Sequence, residues 1–333
     1  MTASRIAFFC NYPPLISAVY PQSRVQRIQG LGQLYPTTIS SENFSKLLPD
    51  LQEIEYIFST WGMQRLSEDE LAELPNLKVV FYGAGTVKHF AEPLLQRGIR
   101  LVSAWAANAV PVAEFTIAQI SLASKGFFAA NRRLHSEGPK GWVQPDMPGT
   151  FDINISILGA GMVGGDVISR LADFDVNVLV FDPYLSDEAA NDMGVTKVGL
   201  EEAFEKGFIV SNHLADIPET EKMLTEELFS SMQPNSTFIN TGRGVTADED
   251  GLIRVLKQRT DVTALLDVTA TEPPAEDSDL YRLPNVWLSP HIAGSIGNEV
   301  VRMADTVIEE FERELNGEDL LYEVTIDKLA TMA

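Results

Sequence analysis

The chain has 333 residues, 45% hydrophobic and 22% charged, the balance of a globular protein and not of a disordered or fibrous one. Acidic residues outnumber basic ones 47 to 25, a formal net charge of −22; such a charge repels nucleic acid and anionic membrane, and neither is expected as a partner. The single cysteine, Cys10, excludes an internal disulfide and a cysteine-based structural metal site, and no apolar run has the length of a signal-peptide core or a membrane span, so a cytoplasmic protein without a metal is expected.

In chain order, short apolar runs at Arg5–Cys10, Glu55–Phe58, Leu77–Tyr82 and Arg100–Val102 predict strands. Ser67 with Glu70 three residues later is a capping-box pattern that opens a helix between two of them. Residues 108–124 are almost all small or apolar, with Glu114 the one charge; a helix apolar on every side is buried between layers or at a subunit interface. A polar, Gly-rich connection follows at 135–152. The rhythm of strand and helix then resumes at Ile153–Leu158, Asn177–Asp182, Phe208–Ser211, Thr237–Asn240, Val262–Asp267 and Val286–Ser289. Asp175 occupies the expected helix-end turn, where a left-handed residue is predicted. A last helix begins near Asn298, with Val300, Val301, Ala304, Val307, Ile308 and Phe311 on one face. Strands alternating with helices predict an α/β protein with parallel sheets, and the length predicts two domains.

Gly159-Ala160-Gly161-Met162-Val163-Gly164 follows the first strand of the second run. A glycine loop between strand and helix suits a pyrophosphate: one glycine for the turn, one for close backbone approach, one for helix packing. The helix N-terminus adds free N–H groups and a positive dipole end. Such a loop alone is a weak signal. Asp182, eighteen residues past Gly164 at the end of the next strand, strengthens it, because a carboxylate there accepts from ribose hydroxyls and repels a 2′-phosphate. NAD is expected over NADP.

Three later segments carry reactive side chains just after strands: Asn240-Thr241-Gly242-Arg243-Gly244, Asp267 through Glu272-Pro273, and Ser289-Pro290-His291. In a parallel sheet these lie at one edge with the glycine loop. The trio suits hydride transfer to a 2-keto acid. A guanidinium binds the carboxylate in a fork, and an imidazole gives or takes the proton at the carbonyl oxygen. A carboxylate against the imidazole orients it and favours its charged form.

These stretches, with NAVPVAEFT at 108–116 and HLADIPET at 213–220, resemble the D-isomer-specific 2-hydroxyacid dehydrogenase family along nearly the whole chain. The likeness is to its glyoxylate/hydroxypyruvate reductase-like short form, without a regulatory domain. The resemblance implies two doubly wound domains, a Rossmann NAD domain (106–295) inserted into a flavodoxin-like substrate domain (1–105 plus 296–333). It implies Arg243, Glu272 and His291 as catalytic residues, with Arg243 also binding substrate alongside Ala84, Gly85 and Thr86. Cofactor contacts would fall on Gly159, Gly161, Met162, Val163, Gly164, Asp182, His213, Thr241, Gly242 and Asp267. The expected partners are a small 2-keto or 2-hydroxy acid and a second copy of the chain, paired through the NAD domain. Val87 stands where the family's substrate loop usually carries Asp, and 58–61 lacks the Arg frequent in phosphoglycerate-type members, which argues against a phosphorylated substrate. The alternative is a catalytically inactive dinucleotide-sensing binding protein on the same fold. Trp61, Trp105 and Trp142 are open between lining the substrate pocket and packing the core.

Overall fold

A computed structural model describes residues 4–331. The chain divides into two compact units, one built from the chain up to Asn108 and from Ser295 onward, the other from Ala109–Gly294.

The first unit holds a six-stranded sheet. Its strands are β1 (Arg5–Phe8), β2 (Gln33–Leu34), β3 (Tyr56–Ser59), β4 (Val79–Tyr82), β5 (Arg100–Ser103) and, numbered in chain order, β13 (Glu323–Val324). The order is β13-β5-β4-β3-β1-β2, and all pairs are parallel except β13 on β5. Every residue of β3 and β4 is buried, as strands covered on both faces must be, and this is why they read as unbroken apolar runs. The helix Val300–Asn316 lays Met303, Ala304, Val307, Ile308 and Phe311 against this sheet, so the returning chain completes the core begun by the N-terminal strands. The predicted capping box at Ser67 is present, with Glu70 N donating to Ser67 Oγ and Ser67 N to Glu70 Oε2.

The second unit holds a seven-stranded, all-parallel sheet: β6 (Phe151–Leu158), β7 (Asp175–Phe181), β8 (Thr196–Lys197), β9 (Ile209–Asn212), β10 (Thr237–Asn240), β11 (Thr263–Leu266) and β12 (Val286–Leu288), in the order β12-β11-β10-β9-β6-β7-β8. The chain winds one way from β6 to β8 and the other way from β6 to β12. The switch point therefore lies between β6 and β9, where open α/β sheets bind ligands at their carboxyl edge. The predicted apolar helix spans Trp105–Ser124. Among the described residues no helix is long and apolar enough to cross a membrane.

One expectation needs correction, and one reading left open is decided. Asp175 is not a left-handed turn residue: it opens β7, and the helix before it ends at Leu171 with right-handed backbone at Ala172. The chain reaches the strand through a turn at Ala172–Phe174, where Phe174 N bonds Leu171 O, so no left-handed residue is needed. Trp142 is not core: it is 84% exposed, because the segment after residue 141 carries no strand or helix that packs it down.

Candidate active site

The glycine loop sits at the switch point of the second unit. Gly159 has φ +89°, and a Cβ there would meet the His213 carbonyl at 2.9 Å; a Cβ on Gly164 would overlap the carbonyl of Gly159. Only glycine allows this turn and this helix-to-loop approach. Helix Met162–Leu171 starts at Gly161 with no capping side chain, so its first N–H groups are not claimed by one. Beside Gly161 there is open space. Asp182, just past β7, accepts from Ala160 N (2.7 Å) and Tyr184 N (2.8 Å). Its oxygens hold the loop and keep further lone pairs for hydroxyl donors. A bare helix start, an open glycine and an acid beside them fit a dinucleotide.

Each of the four strands β9 to β12 delivers a reactive turn at the same edge. After β9 comes His213. Its Nε2 is 2.9 Å from Ser211 Oγ and its Nδ1 3.4 Å from Thr241 Oγ1, which is itself 3.0 Å from the buried Thr116 hydroxyl. Desolvation pushes the imidazole down to about 4, so it is neutral at pH 7. After β10 comes Arg243, flanked by two glycines. A Cβ on Gly244 would overlap the Thr269 carbonyl, so the turn lies hard against the one that follows β11. Burial lowers the Arg243 pKa, while the carboxylates of Asp216 and Glu272 favour its charge; a guanidinium stays protonated under such a balance. Its Nη1 donates to Gly242 O at 2.8 Å.

After β11 come Asp267 and Glu272, and after β12 comes His291. His291 Nδ1 lies 2.8 Å from Glu272 Oε2. The backbone of His291 is left-handed, φ +53°, an uncommon state for a residue with a Cβ. The loop is held in it by Asp267, which is 2% exposed. Asp267 Oδ1 accepts from Ile292 N (2.9 Å) and the Ser289 hydroxyl, Oδ2 accepts from Ala293 N (2.8 Å), and the Asp267 carbonyl accepts from His291 N. Sequence reading gave Asp267 only a cofactor role; its grip on the His291 loop joins residues more than twenty positions apart and leaves no periodic trace.

The turn at Gly83–Thr86 belongs to the first unit. Thr60 Oγ1 donates to Gly83 O (2.9 Å) and Ser103 Oγ lies 2.9 Å from Ala84 O, so its carbonyls are tied inward. Val87 is buried and its carbonyl accepts from Phe90 N and Ala91 N, a packing role at that position. Trp61 is 36% exposed at the end of β3, and Trp105 packs edge-on against Tyr322. His89 and His135 are exposed.

The family model "D-isomer specific 2-hydroxyacid dehydrogenase, NAD binding domain" matches residues 117–293, more than half of the chain, a span that holds the glycine loop and the turns of His213, Arg243, Glu272 and His291. The chain belongs to the D-isomer-specific 2-hydroxyacid dehydrogenase family. Among curated relatives it is similar to D-3-phosphoglycerate dehydrogenase of Mycobacterium leprae, 29% identical over 260 residues, covering 77% of this chain and 48% of that protein. The chain thus spans about half the length of the curated relatives it matches. Among solved structures it is similar to the apo form of Rhodotorula graminis D-mandelate dehydrogenase, 20% identical with a TM-score of 0.81 over 97% of both chains. A phosphoglycerate oxidoreductase from Rhizobium etli gives 24% identity and a TM-score of 0.78, over 96% of this chain and 97% of that one. These structural likenesses are of fold.

Proposed function

We propose that the protein is an NAD-dependent oxidoreductase that interconverts a small 2-keto acid and its D-2-hydroxy acid. The observation that carries this reading is the His291–Glu272 pair, 2.8 Å apart, in turns at the sheet edge that also bears the glycine loop. The uncapped helix start at Gly161 takes the pyrophosphate, and Asp182 takes the adenosine ribose hydroxyls and disfavours a 2′-phosphate. The cofactor, when bound, would supply the hydride as NADH in reduction and accept it as the oxidised form in the reverse direction. Arg243, its charge little screened by water, binds the substrate carboxylate through its fork of donors. Glu272 holds Nδ1 of His291, which leaves Nε2 to give a proton to the carbonyl oxygen in reduction and take it back in oxidation. Asp267 keeps the left-handed His291 loop in place.

Glyoxylate and hydroxypyruvate are the substrates proposed from the resemblance. The turn after β3 presents Thr60 and Trp61 where an arginine would favour a phosphorylated acid. The partner is a second copy of the chain. Helix Phe127–Glu137 has no buried residue, and Leu122, Phe127, Trp142 and Val143 are exposed around it, an apolar surface of the kind an interface covers.

The test is NADH oxidation, followed by absorbance, with glyoxylate, hydroxypyruvate, pyruvate, phenylpyruvate and phosphohydroxypyruvate, and NADPH in parallel. Turnover selective for NADH is expected. His291→Ala removes turnover and keeps NADH binding, and Arg243→Ala loses on the order of 3–5 kcal/mol of transition-state binding. Near-normal turnover in His291→Ala would overturn the acid/base role. NADH binding without turnover on any of the five acids would favour a dinucleotide-binding protein instead.

A further inference from the structure

Between the turns of His213 and Arg243 lies a set of buried polar side chains that the proposed chemistry does not use. Asn212 ends β9 and Asn240 ends β10, directly paired across the sheet. Asn212 and Thr246 are fully buried and Asn240 nearly so. Buried amides and hydroxyls are destabilising unless bonded, and here each finds a partner in a fixed direction.

Two backbone N–H groups, which can only donate, set that direction. Leu214 N donates to Asn212 Oδ1 (3.2 Å), so the Asn212 amide nitrogen must face the other way. Gly242 N donates to Asn240 Oδ1 (3.1 Å). Asn212 Nδ2 then donates to Asn240 Oδ1 (3.0 Å) and to Thr246 Oγ1 (2.8 Å). With its oxygen accepting from Asn212, the Thr246 hydroxyl is free to donate, and it does so to the Arg243 carbonyl at 2.7 Å. The relay begins at Asn212 and ends on the backbone of Arg243. Packing reinforces it: a Cβ on Gly242 would lie 3.0 Å from the Asn212 carbonyl. Because Arg243 Nη1 also donates to Gly242 O, a shift of this turn moves the guanidinium at its root and at its tip.

We propose that Asn212 is a positioning residue for Arg243, acting through Asn240 and Thr246. This rests on the reading of Arg243 as the carboxylate-binding group. Asn212→Leu keeps the side-chain size and removes every polar bond of that side chain; Thr246→Val removes the two bonds of the hydroxyl, from Asn212 and to the Arg243 carbonyl, and leaves the Asn212–Asn240 bond. The probes are oxamate, which carries a carboxylate beside a carbonyl, titrated against the NADH complex, and glyoxylate in steady-state turnover. Asn212→Leu is expected to weaken oxamate and raise the glyoxylate KM on the order of tenfold, with kcat and NADH affinity changed much less, and Thr246→Val to do the same to a smaller degree. In the double variant Asn212→Leu/Thr246→Val no hydroxyl is left facing a leucine, so thermal stability recovers and oxamate affinity does not. A merely structural Asn212 predicts the reverse: oxamate affinity returning with stability, or NADH and oxamate weakening together. Either result overturns the proposal, as does unchanged oxamate affinity in the folded variants. If Asn212→Leu does not fold, Thr246→Val decides alone. Should Arg243→Ala leave oxamate binding untouched, or the wild-type complex fail to bind it, the parent reading falls and this inference with it. An effect of Arg243→Ala without any effect at Asn212 and Thr246 removes this inference only.

Discussion

At the scale of single residues, the site is a set of side chains whose environments differ sharply. His291 and Glu272 are half open to solvent, with side chains 52% and 41% exposed, so a substrate can reach them. His213 is half-buried against Ser211 and Thr241 and stays neutral. That has a consequence for stability. The folded pKa of His213, about 4, lies below the ordinary 6.5. The unfolded chain therefore takes up this proton first as the pH falls. The contribution is complete above pH 6.5 and is lost between 6.5 and about 4, on the order of 2–3 kcal/mol. Urea unfolding at pH 7 and pH 4.5 should show His213→Gln losing less stability over this interval than the wild type. Parallel losses in the two proteins would show that the histidine is not held neutral.

At the scale of elements, the parallel sheets explain why the reactive side chains converge. Consecutive strands point the same way, so each following turn lands at one edge, and β9 to β12 line up there in sequence order. The first unit depends on a different device, the helix Val300–Asn316 returning from the far end of the chain. Phe311 on that helix is fully buried, its ring centroid 4.9 Å from that of Tyr56 and 5.4 Å from those of Phe58 and Phe81. Phe311→Ala is expected to destabilise this unit by about 3–5 kcal/mol, because three rings lose a neighbour and the cavity cannot fully collapse. The check is the urea midpoint followed by near-ultraviolet circular dichroism. A shift no larger than that of a surface alanine would mean the helix is not part of the core.

At the scale of the whole molecule, five exposed apolar side chains, Leu122, Phe127, Trp142, Val143 and Phe151, fall close together in sequence in the second unit. With a net charge of −22, two copies repel at long range, so an interface needs apolar contact and gains from added salt. A dimer by light scattering is expected, and Trp142→Glu together with Phe127→Glu should shift it toward monomer. A monomeric wild type at micromolar concentration would remove the dimer proposal.

Much of the architecture was already legible in the residues. Strands buried on both faces, such as Val79–Tyr82, must be mostly apolar and stand out from their polar flanks. The glycine loop and the segments around Arg243, Glu272 and His291 are short and local, and a turn after a strand can be read from its own sequence. The two-residue strands β2 and β8 could not be, because so short a run has no periodicity and pairs only where a neighbour awaits it. Nor could the grip of Asp267 on the His291 loop or the relay from Asn212 to Arg243. The bonds from Ala293 to Asp267 and from Asn212 to Thr246 join residues tens of positions apart, and their partners exist only once parallel strands have set the turns side by side. Local composition thus determined which segments form strands, turns and helices, while the tertiary structure alone decided which polar groups meet, because hydrogen bonds depend on distance in space and not on order along the chain.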